Sequence, residues 1–257
     1  MKMDSVDKFY DAFASSYHLI FQDWRKSIDY HARCISKVIN SVSSIANTEI
    51  NILDCSCGIG TQAIGLALLG YNVTGTDISP KAIKRAKKES EKLKTKIDFV
   101  VSDFRTLSKD IRTQFDIVIS CDNALPHLLL ATELVQTFAE ISKVLKTGGY
   151  FIASIRDYDA IIDEKRTYTE PHIFDQSDGK RIAFQTWDWA DDIYTLNQYI
   201  IVQRGRNCKT KCFQTKYRAV KRTEITSSLL ANSFVDIEWR MPEMTEYYQP
   251  LVIARKE

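Results

Sequence analysis

Residues Asn51-Ile-Leu-Asp-Cys-Ser-Cys-Gly-Ile-Gly60, followed by Tyr71-Asn-Val-Thr-Gly-Thr-Asp77, leave few folds open. An apolar run of strand length meets a glycine-punctuated turn. A helical segment follows, and a second short strand ends in an acid. Such a unit sets a glycine loop and a helix N-terminus at the carboxyl edge of a parallel sheet, where nucleotide-type cofactors bind. Gly58 and Gly60 carry no Cβ, so a cofactor could approach their backbone closely. Asp77 closes the second strand where a ribose would offer its hydroxyls.

Asp54 separates two cofactor classes. A dinucleotide site asks for Gly-x-Gly-x-x-Gly, and Gly58-Ile-Gly60-Thr-Gln-Ala63 satisfies it with the tolerated alanine. A carboxylate ahead of the glycines would repel a pyrophosphate, whereas it suits the amino group of a methionine-like moiety. The competing readings are local: Asp54 as a turn-forming side chain, Asp77 as a helix cap beside Ser79.

The alternation continues downstream. Strands are expected at 50–55, 72–76, 97–101, 115–120 and 150–155, with helices at 61–69, 80–93 and 132–145 between them. Ser79 and Pro80 open the second of these helices, and Gly70 ends the first. This is an α/β pattern: a doubly wound, mostly parallel, seven-stranded Rossmann-like sheet. Residues 182–189, 194–202 and 212–220 instead read as antiparallel strands joined by polar turns. A helix capped by Thr223 and strands at 234–240 and 251–256 close the chain. The expected division is a helical N-terminal lid at 1–48, a core at 49–157 and 223–257, and an inserted antiparallel β cap at 158–222.

Composition excludes some classes. The chain has 257 residues, 44% of them hydrophobic, and a formal net charge of +2. No apolar run is long enough for a membrane span, and the first residues lack an apolar signal region. A cytoplasmic protein is the expectation. The cysteines at 34, 55, 57, 121, 208 and 212 include one ligand-like pair, Cys208 and Cys212, without a second, which argues against a metal site. Basic residues run from Arg204 to Arg222 without an acid between them. A solvated hairpin face accounts for them better than a nucleic-acid stripe in a chain so nearly neutral.

Acid, glycine pair and second acid together resemble the class I S-adenosylmethionine-dependent methyltransferases. Ser120-Cys-Asp-Asn-Ala-Leu-Pro-His127 after the fourth strand and Ser154-Ile-Arg-Asp-Tyr158 after the fifth resemble the glycine/sarcosine N-methyltransferase group within them. That group has an Asn followed four residues on by His, then Arg-Asn-Tyr-Asp where this chain has Arg156-Asp-Tyr-Asp. Pro126 departs from the small residue of the group's pattern.

The resemblance implies a cofactor, S-adenosylmethionine, and a product, S-adenosylhomocysteine. It implies Asp54, Gly58 and Gly60 at the methionine end, Asp77 and Ile78 at the ribose, and Asp103 and Phe104 at the adenine. Cys121 and the lid aromatics Tyr17 and Trp24 would complete that site, with Tyr10 in the same lid. Asn123, His127 and Arg156 are the candidate catalytic residues. Asn123, Arg156, Tyr158 and Tyr217 are the candidate acceptor contacts, with Arg156 clamping a carboxylate. The implied reaction is methyl transfer to an amine nitrogen of a small polar molecule. An O-methyltransferase, an RNA methyltransferase and a non-catalytic cofactor-binding subunit are the alternatives.

Overall fold

Apolar strands buried on both faces build the main sheet, as a parallel arrangement requires. Ile52 and Leu53 are fully buried, as are Val118, Ile119, Phe151 and Ile152. The computed structural model describes residues 5–43 and 46–257; residues 1–4 of the expected lid and residues 44–45 lie outside the described residues. In chain order the elements are α1 (Val6–Phe13), α2 (Trp24–Val42), β1 (Asn51–Asp54), α3 (Thr61–Leu68), β2 (Asn72–Asp77), α4 (Pro80–Lys92), β3 (Asp98–Val101), β4 (Phe115–Ser120), α5 (Ala131–Val144) and β5 (Leu145–Ser154). There follow α6 (Tyr158–Ile161), β6 (His172–Gln176), β7 (Gly179–Ala190), β8 (Ile193–Arg204), β9 (Asn207–Arg218), α7 (Arg222–Leu230), β10 (Phe234–Arg240), α8 (Pro242–Thr245) and β11 (Leu251–Lys256).

The seven-stranded sheet has the order β10-β11-β5-β4-β1-β2-β3. Strands β1 to β5 pair in parallel, and β11 runs antiparallel to both β5 and β10. The order reverses between β1 and β4, so a crevice opens at their carboxyl ends. The antiparallel sheet, order β6-β7-β8-β9, is inserted after β5. Trp187, Tyr194, Leu196 and Tyr217 of that sheet join the same apolar cluster as Phe151 and Leu53. The inserted sheet is therefore welded onto the carboxyl edge of the main one.

The N-terminal residues divide in two. Helix α2 buries Ile28, Ala32, Ile35 and Ile39 in the cluster that holds Ile52 and Ile64, which makes it part of the helix layer. Helix α1 instead packs Phe9 and Phe13 on Ile200 of β8. The segment after α1 is tied to the inserted sheet, since Lys211 Nζ donates to Ser16 Oγ at 3.0 Å and Arg181 donates to the Phe21 carbonyl at 2.6 Å.

Some elements differ from expectation. Strand β6 is exposed along most of its length, so it lacks the apolar alternation that marks strands. Helices α6 and α8 are single turns without a periodic signal. Thr223 is not the cap of α7: Lys221 occupies that position, without a side-chain cap. The Asp159 carboxylate accepts from the Arg222 N–H at 3.0 Å, so a cap from α6 replaces the local one. Ser79 does cap α4, accepting from Ala82 N–H at 3.0 Å.

Candidate active site

The loop after β1 is stitched to the end of β2 by backbone and carboxylate together. Cys57 N–H donates to the Thr76 carbonyl at 2.8 Å. Gly58 N–H donates to Asp77 Oδ2, and Ser79 N–H to Asp77 Oδ1, each at 2.9 Å. Asp77 therefore shapes the loop as well as walling the cavity, and its oxygens retain further acceptor capacity. Burial raises its carboxyl to about 6 against these two hydrogen bonds.

Asp54 is 1% exposed and lines neither cavity itself, whereas its chain neighbours Cys55 and Ser56 line the first. Its Oδ1 accepts from Ser56 N–H at 3.3 Å, while its Oδ2 is buried without a hydrogen-bond partner. Burial drives this carboxyl up to about 8. An orphaned buried carboxylate oxygen is costly unless a donor meets it, and a cationic amino group is such a donor.

The two glycines do different things. Gly58 has φ +53° and lines the cavity, and a Cβ there would meet only the Tyr17 ring, at 3.5 Å. Gly60 has φ +92° and heads α3; a Cβ on it would sit 2.8 Å from Ile64 Cδ1. Gly60 therefore serves helix packing, and the expectation that it admits a cofactor is corrected.

The loop walls one side of a cavity, which Ile78, Asp103, Phe104, Cys121 and Tyr17 also line. Asp103 is gripped by Arg105, with its Nη2 at 2.7 Å and its Nε at 3.0 Å from Oδ2, so an adenine amino group would share that carboxylate. Burial pushes the thiols of Cys55, Cys57 and Cys121 up, which makes them inert walls. Trp24 does not line the cavity. Its indole N–H donates to Thr61 Oγ1 at 2.9 Å, pinning α2 to α3, so its assignment to the cofactor is corrected.

A second cavity lies under the inserted sheet and shares Tyr10, Tyr17 and Asp122 with the first. Arg156 and Tyr217 line it. The Arg156 guanidinium donates to Tyr194 Oη and Gln185 Oε1, each at 2.8 Å, and lies 4.9 Å from the Trp187 ring. The acids nearest to it in sequence go elsewhere: Asp157 and Asp159 pair with Arg222 at 3.2 and 3.3 Å. No carboxylate among the described residues forms an ion pair with Arg156.

Three further assignments change. Asn123 lines the second cavity, but its Oδ1 accepts from Arg156 N–H at 2.9 Å and its Nδ2 donates to Tyr158 Oη at 3.0 Å. It braces the wall rather than presenting free polar atoms. Tyr158 is fully buried and absent from both cavities, so it is core and not an acceptor contact. His127 lines the first cavity with both nitrogens engaged: Nδ1 donates to the Lys216 carbonyl at 3.2 Å, and Nε2 accepts from Tyr10 Oη at 2.8 Å. Burial lowers its imidazole to about 3, so it is neutral and no general base.

Sequence reasoning passed over Gln62, Tyr247 and Tyr248, which converge on Asp122 from distant segments. No local pattern announces them. The basic run also breaks up in space. Arg218 pairs with Glu224 at 2.7 Å and Arg204 with Asp178 at 2.9 Å. Among the described residues no group of three or more His, Cys, Asp or Glu could hold a metal ion, and no helix is long and apolar enough to cross a membrane.

The methyltransferase-domain family matches residues 52–149. The glycine/sarcosine N-methyltransferase of Aphanothece halophytica is 31% identical over 196 residues, covering 69% of this chain and 71% of that protein. The glycine/sarcosine N-methyltransferase of Parasynechococcus marenigrum (strain WH8102) is 28% identical, over 60% of this chain and 55% of its own length. In fold, the sugar N-methyltransferase KedS8 of Streptoalloteichus sp ATCC 53650 superposes with a TM-score of 0.76 at 13% identity, covering 100% of this chain and 96% of that one.

Proposed function

The chain belongs to the class I S-adenosylmethionine-dependent methyltransferases, and from that premise we propose that it methylates the amine nitrogen of a small acceptor that also carries a carboxylate. The observation that carries this reading is Arg156, a guanidinium on the wall of the second cavity without an acidic partner. Arg156 is half-buried, so part of its hydration is lost, and an anionic ligand would relieve that cost. Its planar fork suits a carboxylate. The N-methyltransferases of glycine and sarcosine among its relatives support the same acceptor class.

The residues present fit S-adenosylmethionine. Asp54 would answer the amino group with its orphaned oxygen, Gly58 would let the methionine end pass, and Asp77 and Asp103 would take the ribose and adenine. When bound, the cofactor supplies a methyl group already made electrophilic by a sulfonium. The protein then has to exclude water, hold the acceptor nitrogen at the junction of the two cavities and fix its direction. Such positioning is worth roughly 7–11 kcal/mol of barrier, so the lack of a basic histidine is no obstacle.

A screen of small amines for S-adenosylhomocysteine release tests the reading. Carboxylate-bearing amines should be the best acceptors. Arg156→Lys should raise their KM at least tenfold and leave S-adenosylhomocysteine affinity unchanged. Turnover confined to amines or hydroxyls without a carboxylate would overturn it.

A further inference from the structure

The second cavity carries a second unneutralised charge, opposite in sign to Arg156. Asp122 stands at the junction with the first cavity. Its Oδ1 accepts from Tyr247 Oη at 2.6 Å and Tyr248 Oη at 2.8 Å, and its Oδ2 accepts from Gln62 Nε2 at 2.7 Å. Every one of these donors is neutral, and no cation among the described residues forms an ion pair with it. Asp122 and Arg156 line the same cavity, yet they do not pair with each other.

The backbone is strained to put the carboxylate there. Asp122 and Asn123 are consecutive left-handed residues, φ +59° and +68°, an arrangement that side chains with a Cβ rarely adopt. Ser154 of the adjoining strand holds both: its Oγ accepts from Asp122 N–H at 2.8 Å and its carbonyl from Asn123 N–H at 3.3 Å. Strain of this kind persists where the surrounding structure enforces it, and it gathers at ligand sites.

Two opposite charges held apart on one cavity wall are met together by one molecule with the complementary pair. Resting on the reading above, we infer that Asp122 receives the amine end of the acceptor while Arg156 receives its carboxylate, so that the site selects an amino acid by both of its ends. The amine is thereby held at the mouth of the cofactor cavity, where Asp122 lies, and it accepts the methyl group as the free amine once its ammonium proton has passed to the Asp122 carboxylate. The tyrosine and glutamine donors fix the carboxylate's direction and leave it lone pairs for the ligand.

The test uses the full chain and the best α-amino acid from the amine screen, its decarboxylated amine and its α-hydroxy analogue. Asp122→Asn should raise KM at least tenfold for the amino acid and for the decarboxylated amine, with S-adenosylhomocysteine affinity within twofold of the parent. Arg156→Lys should raise KM for the amino acid alone. With the unaltered protein, the α-hydroxy acid should inhibit at least tenfold more weakly than the amino acid binds, a measurement that holds even where Asp122→Asn fails to fold. An unchanged KM in a folded Asp122→Asn protein, or equal affinity for the hydroxy acid, overturns the inference and leaves the acceptor class standing. Loss of S-adenosylhomocysteine affinity in Asp122→Asn with KM unmoved assigns the carboxylate to the cofactor and also overturns it. Failure of every carboxylate-bearing amine to be methylated overturns both readings.

Discussion

Cofactor binding should expel a proton from Asp54. The carboxyl is held near 8 by burial with one oxygen unpartnered, so at pH 7 about nine-tenths of it is protonated in the free protein. A ligand amino group placed against it stabilises the ionised form. S-adenosylhomocysteine should therefore release close to one proton at pH 7, and its affinity should rise by about 50-fold from pH 6 to pH 8 as the ionised fraction grows from about one-hundredth to one-half. In free energy that span is about 2 kcal/mol. The sign for stability is the reverse. Asp54 has a folded pKa above its unfolded value of 3.8, so its contribution is fully present below that value and is lost as pH rises through about 8. The thermal shift given by the ligand should accordingly grow with pH over this window. Calorimetry at pH 7 in buffers of different ionisation enthalpy counts the protons directly. 5′-Methylthioadenosine, which lacks the amino-acid end, should release none, and Asp54→Asn should abolish the release. An affinity for S-adenosylhomocysteine that is flat from pH 6 to 8, with no buffer dependence, would refute the reasoning.

Three other outcomes are expected. Gly60→Ala should destabilise the fold by about 1–3 kcal/mol in denaturant titrations, because it forces a left-handed alanine against Ile64; an unchanged midpoint would remove the packing role. The His127 ring should stay neutral from pH 8 down to 5 by nuclear magnetic resonance. Its lowered pKa means that it withholds a stabilising contribution only as pH falls from 6.5 towards about 3, and a titration near 6.5 would contradict its burial. Hydrogen exchange should slow over residues 6–22 when S-adenosylhomocysteine is added, since this segment supplies Tyr10 and Tyr17 to both cavities. Exchange over 24–42 should be slow in either state because α2 belongs to the core, and equal exchange over 6–22 in both states would make that segment a fixed wall.

What the sequence determined by itself was whatever depends on neighbours in the chain. The run from Asn51 to Asp77 carried its strand, turn and helix in its own periodicity, and the acid–glycine–acid spacing identified the cofactor class. The closing strands at 234–240 and 251–256 were legible for the same reason, and so was the cap at Ser79. The fates of individual side chains were not. Trp24 and Tyr158 have the composition of pocket residues, and only packing against Thr61 in one case and against Asn123 and Tyr194 in the other turns them into structure. His127 has the look of a base, and only the Tyr10 hydroxyl and the Lys216 carbonyl, 117 and 89 residues away, take up its nitrogens. Asp122 draws its partners from Gln62 and from Tyr247 and Tyr248, 60 and 125 or 126 residues distant in the chain. Periodicity records which face of an element is buried. Which polar atom on that face is left without a partner depends on what the rest of the chain brings against it, and that is decided only when the two sheets and the N-terminal segment close over the same crevice.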